Sequence, residues 1–199
     1  MKSIHCLAAL AGASALSFGS TMPALAGVTL YTGDFGAWQN AAGPYSTCDF
    51  VGFPVNTQIT TQYSELGATF TPFQGPNIVG PYSAQVFPQD GYGIDGNGDV
   101  EILFDTPMHS LAAHAPGSWR YQLFSGNTMI YQSVYVGGAG YGFFAGLVST
   151  EGFTKIRFDT FDFDDVYIDN VYFSSTPSPG ALPAFALSWG FMRRRRRRE

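Results

Sequence analysis

No stretch limits what this chain can fold into more than the run from Asp159 to Phe173, which sets carboxylates among aromatic and β-branched residues. Val166 and Ile168 share one face of an extended segment and Tyr167 and Asp169 the other, the two-residue period of a half-buried strand. The phase then breaks: Val171 and Phe173 are odd-numbered where Val166 and Ile168 are even. Keeping both apolar pairs inside calls for a bulge or local twist at Asp169 and Asn170. Such a bulge would aim the Asp169 carboxylate out of the ladder, where an oxygen-seeking cation could use it. The run therefore reads as the closing strand of a β-sandwich and a candidate calcium ligand in one piece.

The rest of the body agrees with that reading. Alternation marks strands at Val28 to Tyr31, Val100 to Phe104, Leu111 to Ala113 and Phe153 to Asp159. Trp119 to Phe124 and Met129 to Val136 form a hairpin around Ser125-Gly126-Asn127. The Gly, Asn and Ala cluster after Trp38 reads as a turn, Thr71 to Gly98 as a long loop, and Gly137 to Gly146 as a tight backbone turn plugged by Phe143 or Phe144. That glycine run has neither the basic residues nor the following helix of a phosphate loop. No stretch has helical periodicity. The expectation is an all-β, antiparallel sandwich of jelly-roll type, one domain spanning residues 27–175.

The ends read differently. In residues 1–26, Lys2 precedes an apolar run from Cys6 to about Phe18, and Ala24-Leu25-Ala26 offers small residues at a cleavage site: a signal peptide for signal peptidase. The apolar run is shorter than the about 20 residues needed to span a bilayer. Residues 176–199 carry Pro177-Ser178-Pro179, an apolar stretch from Ala181 to Met192, and six arginines from Arg193 to Arg198. This layout resembles the PEP-CTERM tail of exported bacterial proteins. The resemblance implies sorting by an exosortase-like enzyme reading Pro177, Pro179, Arg193 and Arg194. It further implies transient membrane contact through the tail and residence at the cell surface or extracellular matrix of a Gram-negative bacterium. Ser178 stands where that motif usually has Glu.

Between the ends, Arg120, Lys155 and Arg157 face fourteen acidic residues, leaving the body at about −11. That balance suits divalent cations and disfavours nucleic acid as a partner. With Cys6 in the leader, Cys48 is left alone and reads as a buried core thiol.

Two groups of oxygen ligands suggest calcium as a structural cofactor. Asp95, Asn97 and Asp99 have D-x-N-x-D spacing with Gly96 and Gly98 between them, although Val100 and Thr106 occupy the positions where an EF-hand needs Gly and Glu. An Asx-turn loop without metal is the alternative. Phe50-Val-Gly-Phe-Pro54, followed by Thr61-Gln-Tyr63-Ser-Glu-Leu66-Gly-Ala-Thr-Phe70, resembles the opening of secreted, tail-sorted β-domains, with Tyr63 and Leu66 plugging the sandwich edge. Ile168-Asp169-Asn170-Val171 looks like the closing strand of calcium-bearing, carbohydrate-binding-module-like jelly rolls. That resemblance implies that Asp49 and Asp169 share one ion.

Catalysis finds little support. His109 and His114 lack any nucleophile or metal motif around them. Asp162, Asp164 and Asp165, within the carboxylates from Asp159 to Asp169, are the material for an alternative, a polysaccharide hydrolase, which needs two carboxylates facing a groove. Tyr82, Tyr92, Trp119, Tyr121, Tyr131 and Tyr135 are candidates for an exposed platform on which sugar rings stack. The expectation is a secreted, non-enzymatic, polysaccharide- or biofilm-associated module. A purely structural surface protein without a ligand is the remaining alternative.

Overall fold

The structure, a computed structural model, describes residues 27–72, 75–81, 89–96, 98–160 and 166–177. Its strands are β1 (Val28–Thr32), β2 (Ser46–Cys48), β3 (Ala68–Pro72), β4 (Ile78–Pro81), β5 (Tyr92–Asp95), β6 (Val100–Ser125), β7 (Thr128–Gln132), β8 (Val136–Thr160), β9 (Tyr167–Ile168) and β10 (Val171–Ser174). Every pairing between them is antiparallel, so the all-β expectation holds.

The architecture comes from β6 and β8, which pair with each other twice. Residues 110–115 of β6 pair with 143–148 of β8, giving a first layer in the order β1, β8, β6, β10, β2. Residues 155–158 of β8 lie between two parts of β6, residues 100–103 and 121–124. With β3 and β7 at the edges they make a second layer. The register shifts around Met108, where both strands pass from one layer to the other. At that corner a Cβ on Gly152 would come within 2.8 Å of Pro107 Cβ, so the bend requires glycine.

Each layer turns a row of apolar side chains inward. In the first, Leu30, Leu147, Leu111 and Phe173 lie side by side; in the second, Phe70, Ile102, Ile156, Leu123 and Tyr131 do. Both rows belong to one core. Burying each such side chain is worth about 1.5 to 3 kcal/mol, which fixes the register because a one-residue slip would expose the whole row.

The sequence expectations need several corrections. The expected turn after Trp38 is helix α1 (Phe35–Ala42): Asp34 caps it by accepting the Ala37 N–H at 2.8 Å, and Trp38 and Ala42 are buried on one face. The helix covers the outer face of the first layer. There Tyr31, Gly146, Ala112 and Tyr172 form a row whose small central members leave a trough for Trp38, which donates its indole N–H to Leu147 O at 3.1 Å. A Cβ on Gly146 would sit 2.5 Å from Trp38 Cδ1.

The Gly137 to Gly146 run is strand rather than turn, with Phe143 packed on the main core and Phe144 buried beneath α1. Within the expected long loop, β4 and β5 pair and form a small sheet with β9. Tyr63 is buried as expected, its hydroxyl accepting the Phe50 N–H at 2.6 Å, whereas Leu66, expected to plug the same edge, is 42% exposed. The phase break at Asp169 has the two-against-one geometry of the expected bulge, Asp169 N–H donating to His114 O while the His114 N–H donates to Asn170 O, and it falls where the chain passes from β9, paired with β5, to β10, paired with β6 and β2. Changing sheets resets which face is apolar, so both apolar pairs remain buried.

Candidate cation and ligand sites

The change of sheets carries Asp169 and Asn170 inward. The Asp169 N–H donates to His114 O at 2.8 Å and the His114 N–H to Asn170 O at 3.1 Å, holding both residues against the middle of β6. Asp169 is fully buried. Its Oδ2 accepts the Gln89 N–H at 3.0 Å, while its Oδ1 and the Asn170 Oδ1 have no partner among the described residues. Burial first, then the nearby Asp90 charge, pushes the Asp169 carboxyl up to about 7.

His114 lies beside this pair. Its Nε2 is 3.3 Å from Gln89 Nε2, a donor, so the ring proton is assigned to Nδ1, which faces the Tyr172 hydroxyl at 3.4 Å. Burial holds the imidazole neutral, lowering it to about 4. Tyr172 is raised to about 12, mainly by burial. Phe35 and Phe144 pack on the imidazole.

Two buried oxygens without donors are costly unless something positive meets them. One carboxylate and one amide oxygen are hard donors of the kind calcium takes, so the residues fit that ion. Among the described residues no three His, Cys, Asp or Glu side chains come together. Backbone and water oxygens would have to complete the shell. Asp49, one residue beyond β2, is exposed and accepts the Val51 N–H at 3.3 Å, whereas Asp169 is buried.

In the second predicted calcium loop, Asp95 ends β5 and Asp99 is buried, its Oδ1 accepting the Thr160 N–H at 3.3 Å. Burial raises Asp99 from its ordinary value. Backbone bonds from Gly96 N–H to Val166 O (2.8 Å) and from Val166 N–H to Gly98 O (3.2 Å) tie the loop down. Asn97 lies outside the described residues, as do Tyr82, Asp162, Asp164, Asp165, Pro179, Arg193, Arg194 and residues 1–26, expected to be a signal peptide. Pro177 is exposed just beyond β10.

Among the described residues the predicted aromatic platform is not formed. Trp119 and Tyr121 are buried, Tyr121 donating to Ala145 O at 2.7 Å; Tyr131 belongs to the inner row, and Tyr92 packs against the core. Trp119 and Tyr121 share the phase of Leu123 on β6, and Tyr131 lies opposite Leu123 on β7, so all three point inward. Tyr135 alone of the six is both described and exposed, with the Arg120 guanidinium 5.0 Å above its ring.

The opposite phase, overlooked in the sequence, builds the outer face of the second layer. Thr71, Glu101, Arg157, Gln122 and Gln132 form one row across it; Leu103, Lys155, Phe124 and Met129 form the next. Asp159 accepts from Arg120 Nε and, at 2.9 Å, from Gln122 Nε2. Glu101 Oε2 meets Arg157 Nη2 at 3.0 Å and Lys155 Nζ at 3.3 Å. Lys155 and Arg157 both sit over the Phe124 ring, at 4.3 and 5.7 Å. The alternations Arg120-x-Gln122-x-Phe124 and Lys155-x-Arg157-x-Asp159 are the signal that could have found it.

Elsewhere, a groove of about 340 Å³ beside the end of β10 is lined by Tyr45, Met108 and Phe173 with the hydroxyls of Ser46, Thr106 and Thr176. No described helix is long and apolar enough to cross a membrane. Comparison with protein-family models, curated proteins and solved structures gives no match.

Proposed function

We propose that this chain is a secreted, non-catalytic β-sandwich that binds polysaccharide at the cell surface or in the extracellular matrix, carried there by its C-terminal tail and steadied by calcium at Asp169 and Asn170. The observation behind the binding reading is the outer face of the second layer, where Arg120, Gln122, Asp159 and Tyr135 combine hydrogen-bonding planes with an accessible ring. Sugars present a ring of hydroxyls around apolar C–H faces, and such mixed surfaces meet both. The calcium reading draws on the Oδ1 atoms of Asp169 and Asn170, which have no partner among the described residues. Tail sorting draws on Pro177, Pro179 and the arginines from Arg193.

The test is to probe the full chain against a polysaccharide array with calcium and with EDTA. Retention on at least one glycan, stronger in calcium, is the expected result. Retention on none in either buffer would leave a ligand-free surface protein.

A further inference from the structure

We infer that Asp90 is the second carboxylate of the calcium site, completing from the approach to β5 what Asp169 and Asn170 begin at the joint between β9 and β10; this rests on the calcium reading above. The Gln89 N–H donates to Asp169 Oδ2 at 3.0 Å, so the charged end of the Asp169 side chain lies at the turn formed by Gln89 and Asp90. The other oxygen of that carboxylate, Oδ1, lies there with it, fully buried and without a partner among the described residues. Asp90, the next residue of the turn, is exposed. Its Oδ1 accepts the Tyr92 N–H at 2.9 Å, which anchors the carboxylate and leaves its second oxygen for a ligand. The Asp90 charge is felt at both Asp169 and the Tyr172 hydroxyl, raising each.

Asn170 supplies the third oxygen. Its amide donates to the Tyr172 hydroxyl, which assigns the nitrogen to that bond and turns Oδ1 away from it. Two carboxylates and an amide oxygen, brought from two separate parts of the chain, are hard donors of the class calcium takes, with backbone oxygens and water left to fill the remaining positions. The body has no cation of its own for this place. Its basic side chains are Arg120, Lys155 and Arg157, and they stand on the outer face of the second layer, where Glu101 and Asp159 meet them. Two carboxylates held near each other, one of them out of water, repel and lose hydration, and a divalent ion from solution relieves both effects. Asp90 at the surface and Asp169 inside give that ion its way in.

Calorimetric titration of calcium into the full chain, stripped of metal with EDTA beforehand, tests this. The parent should bind calcium, and Asp90→Asn should weaken that binding by about tenfold. Asparagine keeps an oxygen for the Tyr92 N–H, so the turn survives and circular dichroism should be unchanged. Glu151→Gln removes the same charge from the opposite end of the first layer, past the Ser110–Val148 pair, and should leave the affinity as it is. Binding that Asp169→Asn weakens but Asp90→Asn does not would overturn the role of Asp90 and keep the calcium reading. Equal weakening by Asp90→Asn and Glu151→Gln would reduce the effect to overall charge and overturn the assignment too. No binding by the parent, or binding that neither Asp90→Asn nor Asp169→Asn weakens, would overturn both this inference and calcium at Asp169.

Discussion

Gln89 ties Asp169 to His114: its backbone N–H donates to Asp169 Oδ2 at 3.0 Å while its side-chain nitrogen lies 3.3 Å from His114 Nε2. Two buried groups that titrate in opposite directions are thereby held in one hydrogen-bonded cluster, beside the Oδ1 atoms of Asp169 and Asn170, which have no partner among the described residues.

Calcium should stabilise the protein through Asp169. Ligand bound only to the folded state adds about 2.7 kcal/mol at a hundredfold excess over its dissociation constant. Thermal unfolding in calcium and in EDTA should separate by several degrees, and Asp169→Asn should remove most of that separation. An equal shift in the variant would place the ion elsewhere.

In EDTA the cluster has a defined pH signature. The Asp169 carboxyl rises from 3.8 unfolded to about 7 folded, so between those values the folded state holds the extra proton and stability falls as pH rises. His114 drops from 6.5 unfolded to about 4 folded, so there the unfolded state holds the proton and stability rises with pH. Between about pH 4 and 6.5 the two slopes oppose each other. Urea midpoints should therefore climb with pH in Asp169→Asn and decline with pH in His114→Gln. Parallel profiles for the two variants would contradict the arrangement.

The seat of helix α1 should be intolerant of added volume. Gly146→Ala puts a methyl 2.5 Å from Trp38 Cδ1 and 2.8 Å from Ala112 Cβ. The expected loss is about 1 to 3 kcal/mol in denaturant unfolding. Trp38→Ala should cost about 3 to 5 kcal/mol by leaving the trough empty. If both variants unfold like the parent, the helix does not depend on this contact.

Cys48 is a fully buried thiol whose pKa burial pushes well above its ordinary value. The thiolate is the reactive form, so a disulfide reagent such as Ellman's should label it only as fast as the protein opens. Rapid labelling under native conditions would show that the β2 edge is accessible.

Much of the fold was legible because alternation is a local signal. Val100-x-Ile102-x-Phe104 and Ile156-x-Phe158 announce their strands, and their buried positions are those the period assigns. Helix α1 was missed because only Trp38 and Ala42 mark its buried face, too few for a period, although Asp34 and Gly43 bracket it as cap residues. At the candidate sites, Asp169 was singled out from its neighbours in sequence, but its burial was not, since that depends on His114, some fifty positions away, donating to Asn170 O. The aromatic platform failed for a related reason. Trp119 and Tyr121 are amphipathic side chains whose composition suits either face, and only the phase shared with Leu123 sends them inward.

By itself the sequence determined that the body is built of antiparallel strands, that it is acidic, and which residues of each strand share a face, because propensity, charge and the two-residue period are local properties. Only the tertiary structure decided that β6 and β8 bend through both layers, that the chain changes sheets at Asp169, and that Arg120, Lys155 and Arg157 meet on one surface. Those outcomes depend on which strands pair across long separations in the chain, and that choice is made by the packing of whole rows of side chains rather than by any one segment.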